Sequence, residues 1–357
     1  MSSEVPPDTR IRALVVDDSA FNRVTLARML ESTGEVQVIA TAIHGEDAIK
    51  QALRHRPQVI TLDLEMPVMD GFAFLRWLMA NMPTPVIAVS SKSSDRSVFK
   101  ALEFGAVDFI AKPGGRVSPR LTEIERDLLE KVRHVAEIKL ENVRTRAVDE
   151  DEPRIPTGKI ALESPRAVDL VVIGSSTGGP PALQLLFQAL PLLPIPFVVA
   201  QHMPPVFTKF FAERVNRLTQ YHVKESETGE ILRPGTVYIS PGGEQSEIYR
   251  DGDRFRVRVS PRGAGDLHAP SVNQLFDSAS EAAKDRLLAV ILTGMGDDGA
   301  RGMRRIRDNG GRTVAESAQS AIIFGMPAEA IKTGAVQEVI PLHQIAAAIH
   351  RLAMDAG

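Results

Sequence analysis

Two sets of residues in this chain have types and spacings suited to chemistry. The first is acidic: Asp17 and Asp18 follow the apolar run ALVV, and Asp63 follows VITL, which predicts three carboxylates at the C-terminal ends of two parallel strands. In an open α/β sheet that edge is where ligands bind. Like charges gathered there repel unless a hard cation offsets them, and carboxylate oxygens with water suit Mg²⁺. Ser90, ending PVIAVS, and Lys112, in FIAKP, fall at later strand ends of the same edge.

The second set begins at residues 170–181, LVVIGSSTGGPP, where a run of β-formers meets glycines, small hydroxyls and prolines. A dinucleotide fingerprint requires glycine where Ser176 stands. A P-loop requires Gly-Lys-Ser/Thr where Gly178 and Gly179 run into Pro180 and Pro181, so both phosphate readings fail by residue type. What remains is G-x-S-x-G, Gly174 to Gly178, between a buried strand and a helix opened by prolines. That context exposes a serine near a helix N-terminus, where backbone N–H groups can face an oxyanion. A serine nucleophile needs a base and an orienting acid. His202 follows FVVAQ directly, and Asp297 and Asp298 follow AVILTGMG, so all three residue types are expected on one sheet edge. The order Ser…His…Asp differs from the Ser…Asp…His of α/β-hydrolases. His268, in LHAPSVNQLF, is a competing base and is read as shaping the site or touching substrate. His222 is read as a surface residue, and Met295, Met303 and Met326 as packing.

The elements that must hold these groups follow from periodicity. Apolar runs at IRALVVDD, VQVIATA, PQVITLDLEMP, TPVIAVSS and AVDFIAKP alternate with amphipathic segments, which predicts βα units around a parallel sheet. Beyond Pro113, Leu121, Ile124, Leu128, Val132, Val135 and Ile138 recur at helical spacing, and the following TRAVDEDEPRIPTGKIALESPRA has the charge and prolines of a linker. A second series runs through AVDLVVIGSS, IPFVVAQHMP, TVYISPGG, LLAVILTGMG and GAVQEVIPL. The alternation around Asp251, Gly252 and Asp253 predicts a β-hairpin. At 357 residues two domains are the default. The net charge of -3 gives no basic footprint for nucleic acid, and the absence of cysteine removes disulfides, thiol nucleophiles and Cys-ligated zinc. No apolar run approaches the roughly 18 residues of a membrane span, and the N-terminus lacks a signal peptide's apolar region, so the expectation is a cytoplasmic protein without membrane insertion.

The set VVDDS, LDLEMPVMDG, VSS and AKP resembles the receiver domain of two-component response regulators. The set IGSSTGGPPAL, QHMPPVFTKFFAERVN, YISPGG, HAPSVNQLFDSAS, AVILTGMGDDGARGM and IIFGMPAEAI resembles the chemotaxis methylesterase family, CheB. The resemblance implies a flavodoxin-like receiver over 9–128 with a five-stranded parallel sheet, a helical extension and linker over 129–165, and over 166–354 a doubly wound, mostly parallel α/β methylesterase domain with an antiparallel hairpin. It implies that Asp63 is the phosphoacceptor, that Asp17, Asp18, Asp63 and the backbone carbonyl of Glu65 hold Mg²⁺, and that Ser90, Phe109 and Lys112 form the phosphorylation switch. In the esterase it makes Ser176 the nucleophile, His202 the general base and Asp298 the orienting carboxylate, with the backbone N–H groups of Thr177 and Met295 as oxyanion donors. The family's usual MGNDG is MGDDG here, so Asp297 takes the asparagine position and either aspartate is chemically competent.

The implied activity is hydrolysis of methyl esters on chemoreceptor glutamates, with release of methanol, and deamidation of receptor glutamines. No cofactor is expected in the esterase site. The implied partners are methyl-accepting chemotaxis receptors as substrate and a chemotaxis histidine kinase as phosphodonor, with the protein a monomer and no nucleic acid bound. Regulation is expected through a receiver that covers the esterase until Asp63 is phosphorylated. Two other readings, a scaffold with a dead esterase site and a regulator acting on DNA, are disfavoured by the intact Ser176, His202 and Asp298 and by the lack of a helix-turn-helix.

Overall fold

In a computed structural model of the chain, residues 10–90, 95–112, 119–136, 138 and 167–354 are described. The chain divides into two compact units, Met1–Ala147 and Val148–Gly357.

The first unit has five strands, β1 Ile11–Val16, β2 Val36–Ala42, β3 Val59–Asp63, β4 Val86–Ser90 and β5 Asp108–Ala111, in the order β2-β1-β3-β4-β5. Every pair is parallel, and β3 and β4 are buried along their whole length, as continuous apolar runs predict for strands covered on both faces. The order reverses between β1 and β3, and the register pairs Val16 with Leu62, so the residues that follow, Asp17 and Asp63, leave the sheet side by side at the switch point. Helices α1 Ala20–Glu31, α2 Gly45–His55, α3 Gly71–Asn81, α4 Asp95–Glu103 and α5 Pro119–Val135 connect and cover these strands. Ser19 and Asp70 cap α1 and α3 through Asn22 N (3.4 Å) and Ala73 N (2.7 Å). Helix α5 packs against α1, β4 and β5 with Leu128, Val132 and Val135 buried, so the boundary expected at 128 falls inside it. It ends at Val135. Ile138, placed at helical spacing by the sequence, lies beyond it, its N–H on Val135 O at 3.3 Å. The continuation past Ile138 and the linker up to residue 166 lie outside the described residues.

The second unit is built on seven strands in the order β14-β13-β12-β6-β7-β9-β8. They are β6 Leu170–Ser175, β7 Phe197–Gln201, β8 His222–Glu225, β9 Thr236–Ile239, β12 Leu287–Ile291, β13 Arg312–Glu316 and β14 Glu338–Ile340. All six pairings are parallel. Around them lie α6 Gly179–Ala189, α7 Phe207–Leu218, α8 Val272–Ala283, α9 Ala300–Asp308, α10 Met326–Lys332 and α11 Leu342–Met354. The chain runs outward from β6 through β7 to β9 and β8, then returns to β12 on the other side of β6. The switch point is therefore between β6 and β12.

Two strands are absent from the sequence expectation. β13, RTVAE, opens on Arg312 and closes on Glu316, which masks a short apolar stretch, and β8, HVKE, is an edge strand with one buried apolar residue, Val223. Charged residues on an edge discourage pairing with other chains. The antiparallel addition is a separate two-stranded sheet, β10 Glu244–Asp251 with β11 Arg254–Pro261. Its turn places Gly252 at φ +60°, the first central position that a type II′ hairpin reserves for glycine. Ile248, Phe255 and Val257 of this hairpin pack with Leu275 and Phe276 of α8 in the core.

Candidate functional site

In the first unit, Asp17, Asp18 and Asp63 each offer a carboxylate oxygen, all within 4.8 Å of one another. Asp17 and Asp63 are buried and Asp18 is exposed. Asp17 Oδ1 accepts from Ser19 N (2.9 Å) and Asn22 Nδ2 (3.3 Å), while among the described residues its buried Oδ2 meets no hydrogen-bond donor. An ionised oxygen left so in a dry pocket is costly, and a hard cation is the partner its chemistry calls for. The donor set fits Mg²⁺. Burial pushes the Asp17 carboxyl above its ordinary value, partly opposed by Ser19 N–H and the Lys112 charge; burial does the same to Asp63 against the pull of Lys112.

Lys112 reaches back from the end of β5 to Asp63, its Nζ 2.6 Å from Oδ2. Burial opposes the lysine's charge, but Asp63, Asp17 and Asp18 outweigh it and raise its pKa. Ser90 ends β4 one residue beyond Val89, the register partner of Asp63, and pairs with Ala111 beside Lys112. Phe109 is buried on β5, and Glu65 donates its N–H to Asp63 Oδ1 at 3.1 Å. Two cations went unnoticed in the sequence because their partners are distant or are backbone. Arg23 Nη1 donates to the carbonyls of Asp17 (2.7 Å) and Asp18 (2.9 Å), holding the acidic turn. Lys131 of α5 is buried under Phe109, donates to its carbonyl at 2.7 Å and pairs with Asp108 at 3.2 Å.

These carboxylates make a metal prediction. A carboxyl with a raised pKa stabilises the fold below its unfolded pKa, and that contribution is lost as pH climbs from 3.8 through the raised value. Above that value the ionised Asp17 carboxylate is therefore a burden that a bound Mg²⁺ would relieve. Asp17→Asn is expected to melt higher than the parent chain without metal and to lose the Mg²⁺-dependent rise in Tm. An unchanged Mg²⁺ response in that variant would remove Asp17 from the ligand set.

In the second unit, Ser176 follows β6, His202 follows β7, and Asp298 lies in the loop between β12 and α9. These are three neighbouring strands at the switch point, and the loops bring the three residues to one edge. Asp298, not Asp297, meets the histidine: His202 Nε2 is 2.9 Å from Asp298 Oδ2, whereas Asp297 is exposed. The reason is tertiary. Asp298 lies on the N-terminus of α8, accepting from Val272 N (2.7 Å), Asn273 N (2.9 Å) and Ser271 Oγ (3.1 Å). Unpaired N–H groups and the helix dipole favour an anion there. Burial alone would raise the Asp298 carboxyl, but the His202 hydrogen bond and charge, with Asn273 and Val272 N–H, hold it down at about 2. Asp298 is thus ionised at neutral pH, Nε2 carries the histidine proton, and Nδ1 is left as the ring's basic nitrogen.

Ser176 is pinned through its backbone, its N–H donating to Thr293 O at 3.0 Å. The turn after β12 passes so close that a Cβ on Gly294 would lie 2.9 Å from Ser176 Cβ, which requires glycine there. Met295 follows, buried, and among the described residues its N–H meets no protein acceptor; Thr177, next in the chain after the serine, is also buried. Among the described residues, Ser176 Oγ makes no hydrogen bond to the His202 ring.

His268 stacks on His202 with ring centroids 4.3 Å apart and planes 9° from parallel. The hairpin explains how it arrives there. Gln245, buried at the start of β10, donates to His268 O (2.7 Å) and Asp266 Oδ2 (2.9 Å) and accepts from Ser271 N (2.8 Å). One amide thus fixes both the stacked histidine and the cap of α8, contacts that no local pattern foretells. His222 is exposed, and Met303 and Met326 are fully buried in the core.

A family model described as CheB methylesterase matches residues 171–349, and one described as response regulator receiver domain matches residues 13–120. A protein-glutamate methylesterase/protein-glutamine glutaminase of Geobacter sulfurreducens is 43% identical over 354 residues, covering 94% of this chain and 95% of that protein. A protein of the same description from Myxococcus xanthus is 44% identical over 344 residues, covering 96% of this chain and 97% of that one. The crystal structure of the Thermotoga maritima CheB methylesterase catalytic domain is 38% identical with a TM-score of 0.50, covering 52% of this chain and 98% of that structure. Among the described residues no helix is long and apolar enough to cross a membrane.

Proposed function

Since the chain belongs to the CheB methylesterase family and carries a response regulator receiver domain, we propose that it is a protein-glutamate methylesterase and protein-glutamine glutaminase acting on chemoreceptors under control of Asp63 phosphorylation. The observation that carries this reading is the His202–Asp298 pair at 2.9 Å on the edge that also bears Ser176.

Ser176 Oγ attacks the γ-carbonyl carbon of a methylated glutamate while His202 Nδ1 takes the serine proton. Binding of the ester brings Oγ and Nδ1 into contact. Charge developing on the carbonyl oxygen is met by the N–H groups of Thr177 and Met295. The proton then passes from His202 to the methoxy oxygen, methanol leaves, and an ester of Ser176 remains. Water attacks that ester with His202 again as base, restoring the serine and freeing a glutamate. Asp298 stays ionised throughout and holds the imidazole in its working tautomer. A glutamine side chain follows the same course with ammonia as the leaving group. In the receiver, Asp17, Asp18, Asp63 and the Glu65 carbonyl would hold Mg²⁺, which would offset charge on the transferred phosphoryl group. Lys112 pairs with the acceptor, and Ser90 and Phe109 answer its modification. Methanol and ammonia release from a receptor cytoplasmic fragment test both activities.

The two histidines are separated by substitution. His268 acts on His202 by stacking, and such pairs are worth about 0.5–1.5 kcal/mol. His268→Ala should therefore slow turnover about two- to tenfold, and His268→Phe, which keeps a ring on the stack, should recover most of it. Were His268→Ala inactive and His202→Ala near normal, the base would be His268.

A further inference from the structure

We propose that Gln201 is a positioning residue for the esterase reaction: its one side-chain amide clamps the nucleophile's backbone to that of the base. The inference rests on the proposed Ser176–His202 chemistry and adds the group that holds those two residues in register.

Gln201 is the last residue of β7 and is 1% exposed. Its Nε2 donates to the carbonyl of Ser176 (2.9 Å) and to the carbonyl of His202 (2.9 Å), so both amide protons are spent on the nucleophile and the base. Its Oε1 accepts from Ser175 Oγ at 2.7 Å. The orientation is forced, because a flipped amide would turn its oxygen towards two carbonyl oxygens. The backbone completes the clamp: His202 N–H donates to Ser175 O at 3.0 Å, and Gly179 N–H donates to Ser176 O at 2.8 Å. Room for the amide is made by a missing side chain. A Cβ on Gly179 would fall 2.0 Å from Gln201 Oε1 and 2.9 Å from Ser175 Cβ, so the first residue of α6 has to be glycine.

A buried amide with all of these bonds met is rigid, and it joins residues whose side chains must meet across two strands. Its removal leaves the reacting groups present but free to drift, and a displacement of about 1 Å costs on the order of 100-fold in rate. No contact with bound ester is lost. The defect belongs in kcat.

The test uses the full chain and a methyl-esterified receptor fragment. Gln201→Met fills the same space without polar atoms and is expected to lower kcat about 100-fold with KM unchanged. Ser175→Ala removes only the hydroxyl that fixes Oε1 and should lower kcat less, also at constant KM. Because both act through one amide, the double variant should be no slower than Gln201→Met alone. Wild-type kcat in either single variant, a defect confined to KM, or simple additivity in the double variant would overturn the clamp. Should Gln201→Met fail to fold, Ser175→Ala alone decides by the same kcat and KM readouts. Labelling of Ser176 by a fluorophosphonate keeps the parent reading separate: an unlabelled, inactive wild-type chain would refute the serine mechanism, whereas a labelled, active one with indifferent variants would refute only the clamp.

Discussion

Ser176→Ala is expected to remove ester hydrolysis while leaving both units folded, with a loss of roughly 10⁴- to 10⁶-fold in kcat. The hydroxyl is the only group deleted. The Ser176 backbone bonds to Thr293 and Gly179 do not involve the side chain, so the turn has no reason to collapse. His202→Ala should be comparably severe, and the double variant scarcely worse than either, because members of one nucleophile–base unit are grossly non-additive. Residual activity in both would come from the Thr177 and Met295 donors and from binding. Steady-state methanol release, with far-UV circular dichroism as the folding control, checks these statements.

The second large effect is regulatory. Asp63→Asn is expected to accept no phosphoryl group from a small phosphodonor with Mg²⁺ present and to leave the esterase at its unphosphorylated rate. The receiver is proposed to restrain the esterase until Asp63 is modified. A restrained state favoured by about 100 to 1 corresponds to a bias of only about 2.7 kcal/mol, so phosphorylation has to supply no more than a few hydrogen bonds' worth of free energy to reverse it. A fragment beginning near residue 150 should then hydrolyse ester at up to about 100 times the rate of the unphosphorylated chain without phosphodonor. A folded fragment no faster than that chain would rule out restraint and leave activation by recruitment. Stoichiometric labelling of Asp63→Asn would move the acceptor elsewhere, with Asp17 and Asp18 the first candidates.

Much of the fold was legible in the sequence because parallel strands covered on both faces read as apolar runs, and the candidate residues sit at or just past the strand end that each run marks. Asp17, Asp63, Ser176 and His202 all follow that rule. The choice between Asp297 and Asp298 did not, since it depends on the N-terminus of α8, about 25 residues earlier in the chain. Gln201 and Gln245 were hidden for a related reason. Each is a polar residue at one end of a strand, where a lone glutamine has no periodicity to betray it, and its partners, backbone and side chain alike, lie mostly in other segments. β13 was hidden by Glu316, a charged residue that is fully buried and accepts the Thr293 N–H at 2.8 Å. A buried carboxylate at a strand end breaks the apolar pattern that otherwise marks a central strand.

Acyl transfer through Ser176 at a protein glutamate is the proposal on which the rest depends. The most direct measurement is hydrolysis of a methyl-esterified receptor fragment by the full chain in ¹⁸O-enriched water, with mass analysis of methanol, product and enzyme. Methanol is expected to carry its original oxygen, the restored glutamate carboxyl to carry solvent oxygen, and an ester on Ser176 to be trapped by rapid acid quench. Solvent oxygen in the methanol, or turnover that persists at the wild-type rate in Ser176→Ala, would contradict it.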